Sequence, residues 1–384
     1  MFPESPAFPG VSAAPDEGSV VVADDRLRAA AAHRLACAGT SLLWRGDFHN
    51  GRQLLAAMKR RTDRTDGRQA SAVGSLADAF RRERRARARR AQVLDRLLVE
   101  LTDDYTVALR RAPDVREACR AAYGPPAGTS TVPLRELLGV IGAHQWRLKG
   151  VEVPALGDRI HPHYGVFAPV RGEYVDLVAQ APLPPAVRAD PGGAVAFDLG
   201  VGTGVLAAVL ARRGVGRVVA TDANPRALAC AEDNARRLGL GGRIEVAASP
   251  GLYPTNRADL VVCNPPWLPG RAVAALEMGV YDEDGAMLRG FLAGLVEHLR
   301  PGGEGWLVLS DLAEHLGLRT RAELLELIET AGLRVVGTAD ARPRHRRARD
   351  ASDPLHAARA AETTSLWRLS PTPQVERQPL HGPE

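Results

Sequence analysis

Residues Asp198–Gly204 read DLGVGTG, with the apolar run AVAF before them and VLAAVLARR after. No other segment constrains the fold as tightly. Three glycines at alternate positions let a backbone turn sharply and leave no Cβ between it and a ligand. A strand, a glycine loop and a helix in that order form a nucleotide-binding corner at the carboxyl edge of a parallel sheet. The spacing here is GxGxG, with Val205 where the dinucleotide fingerprint GxGxxG needs its third glycine, which argues against NAD and FAD. Asp198, just ahead of the first glycine, is placed to pair with a cationic or amino group and would repel a pyrophosphate.

From Val195 onward, strand-like and helix-like apolar runs alternate up to Leu369. Repeated βα units of this kind predict a parallel sheet covered by helices on both faces. Two further strand ends carry chemistry. The strand VVATD ends on Asp222, where a carboxylate can accept hydrogen bonds from two ribose hydroxyls. The alternative is that Asp222 caps the helix beginning at Pro225. The strand DLVVC runs directly into Asn264–Trp267, NPPW. Asn264 precedes a proline and is pushed toward extended backbone. Pro265 and Pro266 fix the turn and leave its carbonyls without ladder partners. The Asn264 side-chain carbonyl and these backbone carbonyls are acceptors that can grip an NH2 group. Trp267 adds a flat stacking face. Together they suit an amide or exocyclic amine, a planar nitrogen whose delocalised lone pair must be localised and aimed before it can attack.

DLGVGTG, Asp222 and NPPW together resemble class I S-adenosylmethionine-dependent methyltransferases. More narrowly, they resemble the small methyltransferase domain group with an N-P-P-aromatic motif. That group holds the HemK-like release-factor glutamine methyltransferases and the methyltransferases of exocyclic amines in RNA and DNA. The resemblance covers about residues 145–370. It implies an α/β fold, a doubly wound, mostly parallel seven-stranded sheet of the Rossmann-like type with its last strand antiparallel, and an N-terminal helical domain in front. It implies S-adenosyl-L-methionine as cofactor, its amino-acid end held by Asp198, Gly200, Gly202 and Gly204 and its ribose by Asp222. Asn264 and Pro265 would hold the substrate nitrogen, with Trp267 the third catalytic member, and Pro266, Trp267, Phe167 and Pro169 lining the acceptor. Glu173 belongs to the same segment, His161–Tyr174. Tyrosine or phenylalanine is commoner than tryptophan in the last motif position. The family's acidic residue near the adenine is missing from IEVAASPGLYP, where Ser249 is the nearest polar replacement.

Ahead of the sheet, residues 1–22 read as disordered and 23–130 as a helical, substrate-recognising domain. Residues 131–180 read as a hairpin (Gln145–Val153, turning at Lys149-Gly150) and a connecting segment that lines the site. The methyltransferase domain follows over 181–370, then a disordered tail over 371–384. Leu94, Leu97, Leu98 and Leu101 recur at helical spacing in a stretch reading as helix from about Leu76 to Leu109. Its first half, RRERRARARR (Arg81–Arg90), is either a solvated helix end or a contact for an anionic partner. A second basic run spans Arg342–Asp350. The net charge of +5 agrees with either reading.

Other chemistries are weakly represented. The four cysteines form no CxxC pair, which favours a reducing, cytoplasmic compartment and no zinc site. His161 and His163 are spaced HxH near His144 without further ligands, so no metal is expected. Ser310, Asp311 and His315 look like fragments of a triad but lack a nucleophile elbow. No apolar run is long enough for a membrane span. The expected acceptor is a macromolecule: a glutamine amide in a translation protein or, as the alternative, an exocyclic amine of RNA. A non-catalytic cofactor-binding module is the third reading, and the intact Asn264-Pro265-Pro266 argues against it.

Overall fold

The computed structural model describes residues 19–68, 74–249, 251–271, 279–344, 350–351 and 353–373. They fall into two compact units, one of residues up to Val151 together with His161–Gly165, the other of Glu152–Ile160 and the residues from Val166 on.

The first unit contains β1 (Val20–Ala23), α1 (Ala29–Cys37), β2 (Ser41–Trp44), α2 (Phe48–Arg68), α3 (Leu76–Leu94), β3 (Leu97–Leu101), α4 (Arg116–Tyr123), β4 (Ser130–Pro133) and α5 (Leu134–Lys149). It is not the helical domain its sequence suggests. Four strands form one sheet in the order β1-β2-β3-β4, the first three parallel and the fourth antiparallel. Val20–Val22, expected to be disordered, belong to its edge strand. Leu94 ends α3, and Leu97, Leu98, Val99 and Leu101 are buried in β3. Leucines at 94, 97, 98 and 101 satisfy a helical stripe, while 97, 99 and 101 satisfy a strand alternation, so periodicity alone cannot separate the two. The expected hairpin at Lys149-Gly150 is instead a helix end. Gly150, at φ +72°, stops α5, and its N–H donates to the Trp146 carbonyl at 2.8 Å.

A two-stranded ribbon of β5 (Val151–Val153) and β6 (Asp158–Ile160) belongs, apart from Val151, to the second unit. Next come α6 (Glu173–Gln180), α7 (Pro185–Ala189), β7 (Val195–Leu199), α8 (Val205–Arg212), β8 (Arg217–Thr221), α9 (Pro225–Arg237), β9 (Ile244–Ala247) and β10 (Ala258–Cys263). A short ribbon of β11 (Leu268–Pro269) and β12 (Tyr281–Asp282) leads to α10 (Ala286–His298), β13 (Leu299–Ser310), α11 (Leu312–His315) and α12 (Arg321–Thr330). The chain closes with β14 (Leu333–Ala341), α13 (His356–Ala361) and β15 (Thr364–Pro371). Seven strands join in the order β14-β15-β13-β10-β7-β8-β9, and β15 runs antiparallel to both neighbours, as expected. Alternate strand residues face opposite cores. Ala196, Val218, Leu260, Val262 and Trp306 pack with α6, α8 and α9, whereas Phe197, Val219, Val261 and Leu307 pack with α10 and α12. Burial on both faces explains why these strands are near-continuous apolar runs.

Candidate active site

Strand register decides which side chains can meet. Leu199 of β7 pairs with Cys263 of β10 on one side and with Thr221 of β8 on the other. The next residue on each strand is therefore Gly200, Asn264 or Asp222. Adjacent strands lie about 4.8 Å apart, so these three positions form a row roughly 10 Å long across the carboxyl edge. Three motifs far apart in sequence converge by register alone.

The glycine loop is held by backbone. The N–H groups of Gly200 and Val201 both donate to the Thr221 carbonyl at 2.9 Å, and Gly204 N–H donates to Val201 at 2.8 Å. Gly202, at φ +54°, adopts a conformation that side chains rarely take, and a Cβ there would meet nothing nearer than the Gly200 carbonyl at 4.0 Å. That position faces open space. Gly204, at φ +81°, serves packing instead: a Cβ would lie 3.1 Å from the Ala231 Cα of α9.

Two carboxylates brace the loop. Asp198, buried in β7, accepts from Ala207 N–H at 2.8 Å, an otherwise orphaned donor in the first turn of α8. Burial raises its carboxyl to about 7, against the pull of the Ala207 bond, and the neighbouring Asp222 adds to the rise. Asp222 accepts from Gly202 N–H at 3.0 Å and from Asn224 N–H at 2.8 Å. Burial raises this carboxyl too, against those bonds. Asp222 does not cap α9. Asn224 does, its side chain accepting from Arg226 N–H. The Ser249 hydroxyl donates to the Tyr253 carbonyl at 2.8 Å and accepts from Gly251 N–H at 3.4 Å, so it is already engaged in a local turn.

The NPPW corner is held by side chains. Trp267 Nε1–H donates to Asn264 Oδ1 at 2.8 Å. This bond fixes which end of the Asn264 amide is the acceptor, and it uses one of two lone pairs. The Arg171 guanidinium lies over the Trp267 ring, 4.6 Å from its centroid, a contact worth about 0.5–2 kcal/mol. One of the two faces of the indole is thereby covered. Arg171 is itself gripped by two buried carboxylates, Glu173 at 2.9 Å and Glu362 at 2.8 Å. Ser310 Oγ donates to Glu362 at 2.6 Å, which removes it from any triad with His315. Pro265 and Pro169 are buried, Pro266 is half-buried, and Phe167 is exposed. Asp282, not anticipated from sequence, accepts from the N–H groups of Met287 and Leu288 and caps α10. Arg171 and Glu362 were equally unforeseen. The basic run at 342–350 lies mostly outside the described residues, although Arg344 reaches Asp176 at 3.7 Å.

His161 Nδ1 lies 2.6 Å from the Arg147 carbonyl. Among the described residues no group of three or more His, Cys, Asp or Glu is arranged to hold a metal, all four cysteines are free, and no helix is long and apolar enough to cross a membrane.

Residues 159–329 match the family model described as methyltransferase small domain. A release factor glutamine methyltransferase from Cereibacter sphaeroides is 34% identical over 161 residues, 38% of this chain and 55% of that protein. A second protein of that name, from Moorella thermoacetica, is 37% identical over 119 residues, covering 28% and 42%. A ribosomal protein L11 methyltransferase from Pelotomaculum thermopropionicum is 49% identical over 75 residues, covering 19% and 24%. The chain thus spans at most about half the length of these curated relatives. Among solved structures, an S-adenosylmethionine-dependent methyltransferase from Geobacter sulfurreducens, complexed with S-adenosyl-L-homocysteine, aligns with 53% of this chain and 92% of its own. Its identity is 18% and the TM-score 0.34.

Proposed function

We propose that this chain, which carries a methyltransferase small domain over residues 159–329, moves a methyl group from S-adenosylmethionine to a planar nitrogen of a macromolecule. One observation carries the reading. Asp222, the glycine loop and Asn264 occupy adjacent strand ends, and the Asn264 carbonyl is already oriented.

The site suits the cofactor. Gly202 leaves an open position beside the loop, and a buried carboxylate, Asp198, and a half-buried one, Asp222, flank it. Asp198 and the loop would hold the amino-acid end, and Asp222 the ribose hydroxyls. When bound, the cofactor supplies an electrophilic methyl on a sulfonium. The remaining chemistry belongs to the protein. The second lone pair of Asn264 Oδ1 accepts an N–H of the incoming amide or amine, as does the backbone turn at Pro265. Accepting those protons returns electron density to a nitrogen that conjugation has depleted. Holding it in line supplies the remainder of the rate. Trp267 and Arg171 keep the carbonyl aimed.

The favoured acceptor is a glutamine amide in a protein of the translation apparatus, because relatives named for release-factor and ribosomal-protein methylation match part of this chain. An exocyclic amine of RNA is the second reading, supported by the arginine density of α3. Incubating the chain with tritiated cofactor and a lysate lacking it separates the two. Label released as a methylated amino acid after acid hydrolysis supports the first, and label in nucleosides supports the second. No transfer to any macromolecule, with cofactor binding intact, would sink both.

A further inference from the structure

In the first unit, α2, α3 and α5 enclose a groove of about 580 Å³. Its walls carry Arg52 and Lys59 from α2, Arg87 and Arg90 from α3, and Arg135 from α5. Its floor is apolar, with Leu55, Leu94 and Leu138 exposing little surface. The setting is strongly electropositive. Helices α2 and α3 contain thirteen arginines and lysines against four carboxylates, a net of +9, in a chain whose total is +5. Everything outside these two helices is therefore net negative.

Local pairing leaves charge to spare. Arg87 pairs with Glu83 at 2.9 Å, Arg90 with Asp63 at 2.7 Å and Arg135 with Asp95 at 2.7 Å. These carboxylates lie outside the groove lining and hold the three guanidinium groups in place. Arg52 and Lys59 are exposed and have no ion pair among the described residues. They sit two turns apart on α2, about 10 Å along the axis, room for successive phosphates of one strand. His49 and Gln53 line the same groove, and the Gln53 amide can both donate to and accept from a hydroxyl.

We infer that this groove binds the backbone of single-stranded RNA, with cations on the phosphates, the Gln53 amide on a ribose 2′-hydroxyl and the apolar floor under the sugar–base faces. Charge complementarity selects a polyanion. The hydroxyl partner separates RNA from DNA. His49 is the one aromatic ring in the lining, and backbone binding of this kind tolerates any base sequence. Of the run Arg81–Arg90, only Arg87 and Arg90 line the groove, and the other three cations come from elsewhere in the sequence. The inference is independent of the acceptor chemistry, since an enzyme acting on a protein bound to RNA would use such a groove equally.

The test is fluorescence polarisation of the full chain with a labelled twelve-nucleotide oligouridylate across a salt series. Binding should weaken steeply with salt. Arg52→Gln/Lys59→Gln should lose about tenfold or more in affinity and flatten the log–log salt slope by about 1.4, two contacts at about 0.7 each. Arg236→Gln/Arg237→Gln, an equal charge loss on α9, should bind within twofold of the parent. Melting and cofactor affinity measured on every variant report folding. Four results would overturn the inference: no binding at 50 mM salt, equal losses in both double variants, oligothymidylate binding as tightly as oligouridylate, or polyglutamate competing as well as RNA. Each leaves the methyl-transfer assay untouched, so failure here is distinguishable from failure there.

Discussion

The glycine-loop corner and the NPPW corner sit on paired strands, yet each holds its functional groups by a different device. At β7 and β8, carboxylates collect backbone N–H groups: Asp198 takes Ala207, and Asp222 takes Gly202 and Asn224. At β10, a chain of side chains runs from Glu173 and Glu362 through Arg171 and Trp267 to Asn264. A backbone-braced corner is vulnerable to side-chain change mainly at its carboxylates. A relayed corner can be weakened step by step, and its effects should fall on turnover rather than on cofactor affinity.

The strongest challenge to that contrast is Asn264→Ala. Loss of the aimed acceptor should lower transfer by about a hundredfold or more, while calorimetric affinity for S-adenosylmethionine stays within a few-fold. Asp222→Ala should do the opposite and weaken cofactor binding by about tenfold to a hundredfold, the scale of one charge-assisted hydrogen bond. Equal losses of cofactor affinity in both variants would erase the distinction.

Asp198 sharpens the contrast through pH. Its carboxyl is raised by burial to about 7, from an ordinary value of about 4. The stabilisation of the free protein by the neutral form is complete below about pH 4 and is lost as pH rises through about 7. Between pH 5 and 8 the parent should lose about 2–3 kcal/mol relative to Asp198→Asn in urea denaturation. Cofactor affinity should rise over the same interval in the parent and stay flat in the variant. A parallel pH profile in both proteins would remove Asp198 from the account.

Trp267→Phe keeps a ring under Arg171 but deletes the N–H that fixes Asn264. Transfer should fall about three- to tenfold, the worth of one neutral hydrogen bond, with cofactor affinity unchanged. Ser249→Ala should be the mildest, within about twofold in cofactor affinity, because its hydroxyl already serves the turn at Tyr253. A larger loss would restore Ser249 as an adenine contact.

What the sequence revealed follows the same division. DLGVGTG, Asp222 and NPPW are local motifs at strand ends, and local motifs can be read one residue after another. Arg171 and Glu362 were invisible because the bond between them spans 191 residues and has no periodicity to betray it. Glu173 was noticed for its segment and not for its partner. In the first unit the failure had another cause. Strands of four or five residues such as SLLW and LLVEL present too few positions for a period of two to outweigh a period of 3.6. The glycine at 150 was ambiguous for a different reason, since a helix end and a hairpin turn both ask for positive φ.

The position of Glu362 also has a consequence in time. On the ribosome, Arg171 is made 191 residues before the carboxylate that finally holds it. At usual elongation rates that interval is roughly 10–40 s. Within it the strands bearing Asp198, Asp222 and Asn264 are all made, while Arg171 still lacks one of its two anchors. The nascent chain would then acquire a place for the methyl donor before it acquires a rigid grip on the acceptor, and the turn that ends α13 would act as the latch.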